Sequence, residues 1–79
     1  MRVTIKEFSN GAWGKPSPLY GIVIKGEAWA FFPSLAQAQQ ARAAALPMLR
    51  AGYGSPREIR GAFAPMVRNS NGFIGRLTN

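Results

Sequence analysis

Arg50, Arg57, Arg60, Arg68 and Arg76 fall within the last thirty residues, where Glu58 is the only carboxylate, so five guanidinium groups against one acid leave that segment at about +4. A guanidinium is a planar fork of donors that stays charged and meets a phosphate or a carboxylate at two points. Arg57 and Arg60, three residues apart, share one face of any helix that carries them. Just before them, Gly52-Tyr53-Gly54-Ser55 runs into a helix start whose free amides could hold an anion, with Arg57 close by and Tyr53 available for stacking. The same residues also make a plain turn between helices, Glu58 already complements the helix dipole, and the Lys and spacing of a nucleotide-binding loop are missing. Trp13 and Lys15 stand in a Gly- and Pro-rich stretch, where Trp13 either folds back over the sheet edge or is held out as an anchor. The expected partner-binding set is therefore Arg57, Arg60, Arg68, Arg50 and Arg76 with Trp13, Lys15 and Tyr53.

The chemistry left out is equally informative. The chain has no histidine and no cysteine, and its only acids are Glu7, Glu27 and Glu58. General acid and base catalysis usually recruits His or a tuned carboxylate, covalent catalysis an activated Cys or Ser, and zinc a set of His and Cys. Ser9, Ser17 or Ser55 beside Lys15 or Lys25 would be the nearest approach to a nucleophile, and none has the surrounding motif. The expectation is a protein without catalysis, cofactor or metal. Net charge is +7, and seven of the ten basic residues are arginine. Arg, Ala and Gly together also reflect GC-rich coding, but the scarcity of acids does not follow from that. Such a field draws phosphates, anionic membrane surfaces or acidic protein patches.

The elements that must position these residues can be read from periodicity. Val3 and Ile5 alternate with polar neighbours as a short first strand, and Phe8 falls out of phase, as though a bulge or the strand end intervened. Residues 9–18 collect turn formers. Leu19–Lys25 reads as a strand apolar on both sides; Lys25-Gly26-Glu27 turns tightly into a third strand, Ala28–Phe32, whose Trp29, Phe31 and Phe32 read as core rather than as base-stacking aromatics. Pro33-Ser34 opens a helix in which Ser34 accepts from the Gln37 amide while the Gln37 side chain reaches back to Ser34. Its apolar stripe is Leu35, Ala38, Ala41, Ala45 and Leu49; Gln37, Gln39, Gln40 and Arg42 are expected toward water, and Pro47 should kink the helix or end it irregularly before Ala51-Gly52. Ser55-Pro56-Arg57-Glu58 opens a second helix with Ile59, Ala62, Phe63, Met66 and Val67 inward, ending near Ala64 because of Pro65. After an Asn69–Gly72 turn, Phe73–Leu77 is either a fourth strand or a packed tail.

The fold class is α+β: a three- to four-stranded antiparallel sheet, β-β-β-α-α with the optional C-terminal β, and helices on one face. Seventy-nine residues make one domain, 1–79, with roughly 60 to 65% of the unfolded surface buried. That margin is thin, so the expectation is a monomer or a weak homodimer. The first residues lack the apolar run of a signal peptide and no stretch approaches the roughly 20 apolar residues of a membrane span, which predicts a cytoplasmic protein without membrane partners.

Three strands followed by Phe-Pro-Ser-x-Ala-x-Ala at Phe32–Ala38 make residues 20–50 similar in layout to small bacterial and phage proteins in which a β-meander precedes an Ala-rich helix. With its size, charge, Trp and Arg, and lack of catalytic residues, the chain also resembles the anti-CRISPR proteins of phages and mobile elements. That resemblance is one of role, with no shared motif. It implies stoichiometric blocking of a CRISPR effector, such as a type I surveillance complex, in a bacterial host cell. A DNA-mimicking inhibitor would be acidic, so a chain at +7 is expected instead to dock on an acidic protein patch and obstruct sterically, or to lean partly on guide or target phosphates. The second reading is a small phage or plasmid nucleic-acid-binding protein that contacts phosphates through Arg; no helix-turn-helix pattern accompanies it.

Overall fold

In a computed structural model, which describes residues 2–9 and 18–78 and treats 76–78 by backbone alone, the chain runs β1 (Val3–Phe8), β2 (Leu19–Ile24), β3 (Glu27–Phe32), α1 (Leu35–Arg50), α2 (Pro56–Arg68) and β4 (Phe73–Thr78). The strands form one sheet in the order β1-β2-β3-β4, and every neighbouring pair is antiparallel. Both helices lie on one face, α1 across β1, β2 and β3, and α2 across β3 and β4. This is the expected α+β class, and the C-terminal segment is a strand. Lys25 and Gly26 both take left-handed backbone angles, φ 53° and 78°, the pair that a two-residue hairpin loop needs to match the strand twist.

Each face of the sheet carries its own apolar cluster. Val3, Ile22, Ile24, Ala30 and Phe32 face the helices, whereas Leu19, Val23, Ala28 and Phe31 face the other way with Phe8 and Phe73 against them. This corrects the expectation for Phe8. β1 runs unbroken through Phe8, which pairs with Leu19, and Phe8 departs from the Val3–Ile5 phase because it serves the second cluster. There the Phe31 ring is fully buried, met edge-on by Phe8 at 5.3 Å and stacked by Phe73 at 5.1 Å between centroids. The one irregularity in β3 is at Trp29: Ala30 pairs with Ile22 and Ala28 with Val23, so Trp29 is an extra residue. The slip puts Trp29 and Ala30 together on the helix side.

Both helices start where the capping residues indicate, and both outlast their prolines. Ser34 Oγ accepts from the Gln37 amide at 3.2 Å, and Ser55 and Glu58 form the full reciprocal box. At the end of α1 Gly52 adopts φ 102°, its N–H donates to the Leu49 carbonyl and the Tyr53 N–H to the Met48 carbonyl, both at 3.2 Å, a Schellman closure. α1 continues past Pro47 to Arg50, and α2 passes Pro65 to reach Arg68 rather than ending near Ala64. The reason is orientation. Pro47 and Pro65 are exposed, as are Ala43 and Gly61, whose carbonyls lose their donors and can turn to water, while the inward faces stay packed. Three further expectations are corrected. Leu35, at the first helical position, is 45% exposed and leaves the stripe to Ala38, Ala41, Ala45 and Leu49. Arg42 is half-buried, its Nε donating to the Val3 carbonyl at 2.7 Å. Gln37 is half-buried too, and its Oε1 has no hydrogen-bond partner, so it does not close a box on Ser34.

Two glycines separate space from flexibility. A Cβ at Gly72 would sit 2.6 Å from the Phe31 carbonyl oxygen and 3.0 Å from the Phe32 ring, whereas one at Gly61 on the exposed side of α2 would meet nothing within 4 Å. Urea unfolding should therefore show Gly72→Ala destabilised by about 1–3 kcal/mol through overpacking. Gly61→Ala should instead gain about 0.5–1 kcal/mol through helix propensity. A Gly72→Ala variant as stable as the parent would contradict the β3–β4 packing.

Candidate partner-binding surface

α2 separates its side chains by chemistry. Ile59 and Phe63 are buried and Met66 and Val67 half-buried, while Arg57, Arg60 and Arg68 are exposed on the opposite side. At 100° per residue the three arginines fall within one sector of the helix and span about 16 Å of its length, with exposed Gly61 and half-buried Ala64 between them. Small residues there leave the guanidinium groups unobstructed. Glu58, the only carboxylate of α2, is turned away: its Oε1 accepts from the Ser55 N–H at 3.1 Å and its own N–H donates to Ser55 Oγ at 3.3 Å. Among the described residues, no carboxylate pairs with Arg57, Arg60 or Arg68. The anion position at this helix start, one of the candidate sites in the sequence, is thus taken by the protein's own side chain.

The arginines are held differently. The Arg60 guanidinium lies over the Trp29 ring, 5.6 Å from its centroid, and Trp29 is itself only 5% exposed, so the core gives Arg60 a fixed platform. Arg68 makes a long contact from Nε to the Ala64 carbonyl at 3.4 Å within its own helix. No such contact holds Arg57. Arg50 ends α1 and is exposed, and Tyr53 is 51% exposed on the short link whose backbone the Schellman closure pins. Arg50, Tyr53 and Arg57 thus gather around the α1–α2 junction, at the N-terminal end of the arginine face. Arg76 lies in β4, but its side chain is outside the described residues, as are Trp13 and Lys15 altogether. Trp29, Phe31 and Phe32 are buried core residues and offer no free ring to a base.

A second feature escapes a residue-by-residue reading. Between α1 and the C-terminal end of α2 lies a cleft of about 290 Å³ floored by Phe32 and Met66 and edged by Gln37, Gln40, Asn69 and Ser70. Its two sides are about thirty residues apart in the chain, so only the packing of the helices brings them together. The one local signal is Gln37 itself, a capping-box residue by position whose side-chain oxygen has no hydrogen-bond partner.

Among the described residues, no group of three or more His, Cys, Asp or Glu could hold a metal ion, and no helix is long and apolar enough to cross a membrane. No protein family, curated protein or solved structure matches the chain.

Because Arg60 rests on Trp29, Arg60→Gln should cost about 0.5–1 kcal/mol in chemical denaturation. Arg57→Gln and Arg68→Gln should stay within about 0.5 kcal/mol of the parent, as exposed positions do. Equal costs at all three sites would show that the Trp29 contact contributes nothing.

Proposed function

We propose that this is a non-catalytic binding protein that sets the arginine face of α2 on an acidic surface of a protein partner and acts by obstruction. The observation that supports this most is the alignment of Arg57, Arg60 and Arg68 on one exposed helix face whose only carboxylate is committed to the helix cap. A guanidinium already desolvated on one side by an aromatic ring, as Arg60 is, gives up less hydration on docking, and arginine is among the residues that most often dominate interface energetics. Arg50 and Tyr53 extend the face at its N-terminal end. The resemblance to anti-CRISPR proteins names the partner: an acidic patch on an effector subunit of a type I surveillance complex, where the bound protein blocks target-DNA binding or nuclease recruitment. A net charge of +7 argues against entry into a basic nucleic-acid channel.

The second reading, a nucleic-acid-binding protein, draws on the same face. Three guanidinium groups along about 16 Å of helix suit a run of phosphates, and binding would then be governed by counterion release. Salt distinguishes the two. Titrated into purified type I surveillance complexes, the protein should bind at fixed stoichiometry, withstand nuclease treatment and moderate salt, and lower target-DNA occupancy or nuclease recruitment. Arg57→Glu with Arg68→Glu should weaken that binding by about 30-fold or more, the scale of a hot-spot loss. Steep salt dependence together with retention on DNA or RNA alone would establish the second reading. Full activity of every effector tested at excess protein would exclude the CRISPR partner, and a double variant that binds like the parent would exclude the α2 face.

A further inference from the structure

The face of the sheet away from both helices carries a second concentration of positive charge. An open hollow of about 450 Å³ lies there, lined by Arg2, Thr4, Val23, Lys25 and Gly26. Thr4 pairs with Val23, and Val23 belongs to the cluster on the far face, which fixes the side on which the hollow opens. Alternation along the chain puts Arg2 on the same side as Thr4. Arg2, Thr4, Lys25 and Gly26 are all exposed, so the donors of the hollow are open to a ligand. No described residue lining it is acidic, and among the described residues no carboxylate pairs with Arg2 or Lys25. Glu27, the nearest acid along the chain, stands opposite Ile24 in the sheet, and Ile24 faces the helices.

Lys25 is the informative member. At φ 53° it is the only residue other than glycine with a positive φ among the described residues, and it holds the first position of a two-residue hairpin loop, where Asn, Asp or Gly is favoured. A lysine there costs the fold backbone strain that Asn would largely avoid. Charges on an edge strand keep other chains from pairing, which accounts for Arg2 beside β1, but Lys25 joins the inner strands β2 and β3, where no edge needs protection. Its charge instead shares the hollow with that of Arg2, a like-charge arrangement that an anion between them would turn favourable.

We propose that this hollow binds a phosphate dianion, free or as the terminal group of a monoester, with Arg2 and Lys25 on its oxygens and the Thr4 hydroxyl donating a further hydrogen bond. Two cations neutralise a dianion, whereas a phosphodiester or a carboxylate, with a single charge, leaves one of them uncompensated. Arginine supplies the two-point contact and lysine the compact charge. The open side leaves room for whatever the phosphate is attached to. This site is independent of the α2 arginines, none of which lines the hollow.

The test titrates inorganic phosphate, methyl phosphate and dimethyl phosphate into the isotope-labelled full chain, at mildly alkaline pH and constant ionic strength, and follows the Thr4, Lys25 and Gly26 amides by NMR. Expected are saturable shifts with both dianions, at an affinity on the order of 1 mM for ligands of so few atoms. Dimethyl phosphate should bind about fivefold more weakly, the scale of one exposed charge pair. Whichever dianion binds more tightly identifies the ligand as the free ion or as an ester. Dimethyl phosphate binding as well as the dianions, or shifts that never saturate, would mark nonspecific attraction to a basic chain and overturn the proposal. Arg2→Gln should weaken binding by about fivefold at an unchanged melting temperature. Lys25→Asn should weaken it to a similar extent and raise the melting temperature, because Asn takes the left-handed conformation more readily. A melting temperature lowered by Lys25→Asn would mean that the lysine serves the fold, and parental affinity in both variants would mean that the phosphate sits elsewhere; either result overturns the site.

Discussion

The extra residue at Trp29 governs how the two layers meet. Strict alternation along β3 would send Trp29 to the same side as Phe31, and the helix side would receive only Ala28 and Ala30 beside Phe32. The slip between Ile22 and Val23 instead directs Trp29 and Ala30 together toward the helices while Ala28 and Phe31 stay on the far face. β3 is the strand on which everything converges: it pairs with β2 and β4 and lies under both helices. Burying one tryptophan, some 150–250 Å², contributes about 4–6 kcal/mol before ordering is counted, comparable with the whole net stability of a domain this small. Arg60 stacks on that same ring, so the bulge that completes the core also fixes one member of the arginine face of α2.

α1 acts as the counterpart of β3 by being small. Ala38, Ala41 and Ala45 present almost no side chain to the sheet, which lets the helix lie close and allows Arg42 to reach down to the Val3 carbonyl at the start of the edge strand β1. An arginine from α1 thus ties down the start of the edge strand. Beside the small Ala41 and Ala44 on α1 the packing leaves the cleft that Gln37 edges.

What was legible in the sequence was local. Ser34, Ser55 and Glu58 announced the helix starts, Gly52 the end of α1, Lys25-Gly26 the hairpin, and the unbroken apolar run of β2 its burial on both faces. What was not legible required knowing which side faces water. Pro65 was read as ending its helix, and Pro47 as kinking α1 or closing it irregularly before Ala51-Gly52, because a missing donor is costly inside a helix, but both lie on exposed faces where water can serve the freed carbonyls. Phe8 looked out of register because a single apolar face was assumed, and β1 serves two. The arginine face was half visible: the Arg57–Arg60 spacing was evident, but Arg68 joins them only because α2 runs past Pro65. The cleft was invisible, since nothing in the neighbourhood of Gln37 reveals Asn69 and Ser70.

The electrostatics of α2 indicate which arginine folding explains least. Arg68 lies in the last turn, where the helix dipole welcomes a cation, and Arg60 is held on Trp29. Arg57 has neither advantage. It sits in the first turn, at the positive end of the dipole, with Arg60 a like charge three residues on, each effect unfavourable by a few tenths of a kcal/mol. Glu58, which could have screened it, is drawn back to the Ser55 amide. A fold optimised for its own stability would place an acid or a neutral residue at this position, as helix starts ordinarily do. Local helix energetics therefore do not account for this charge, and an anionic surface brought against the start of α2 would reverse the sign of both local costs.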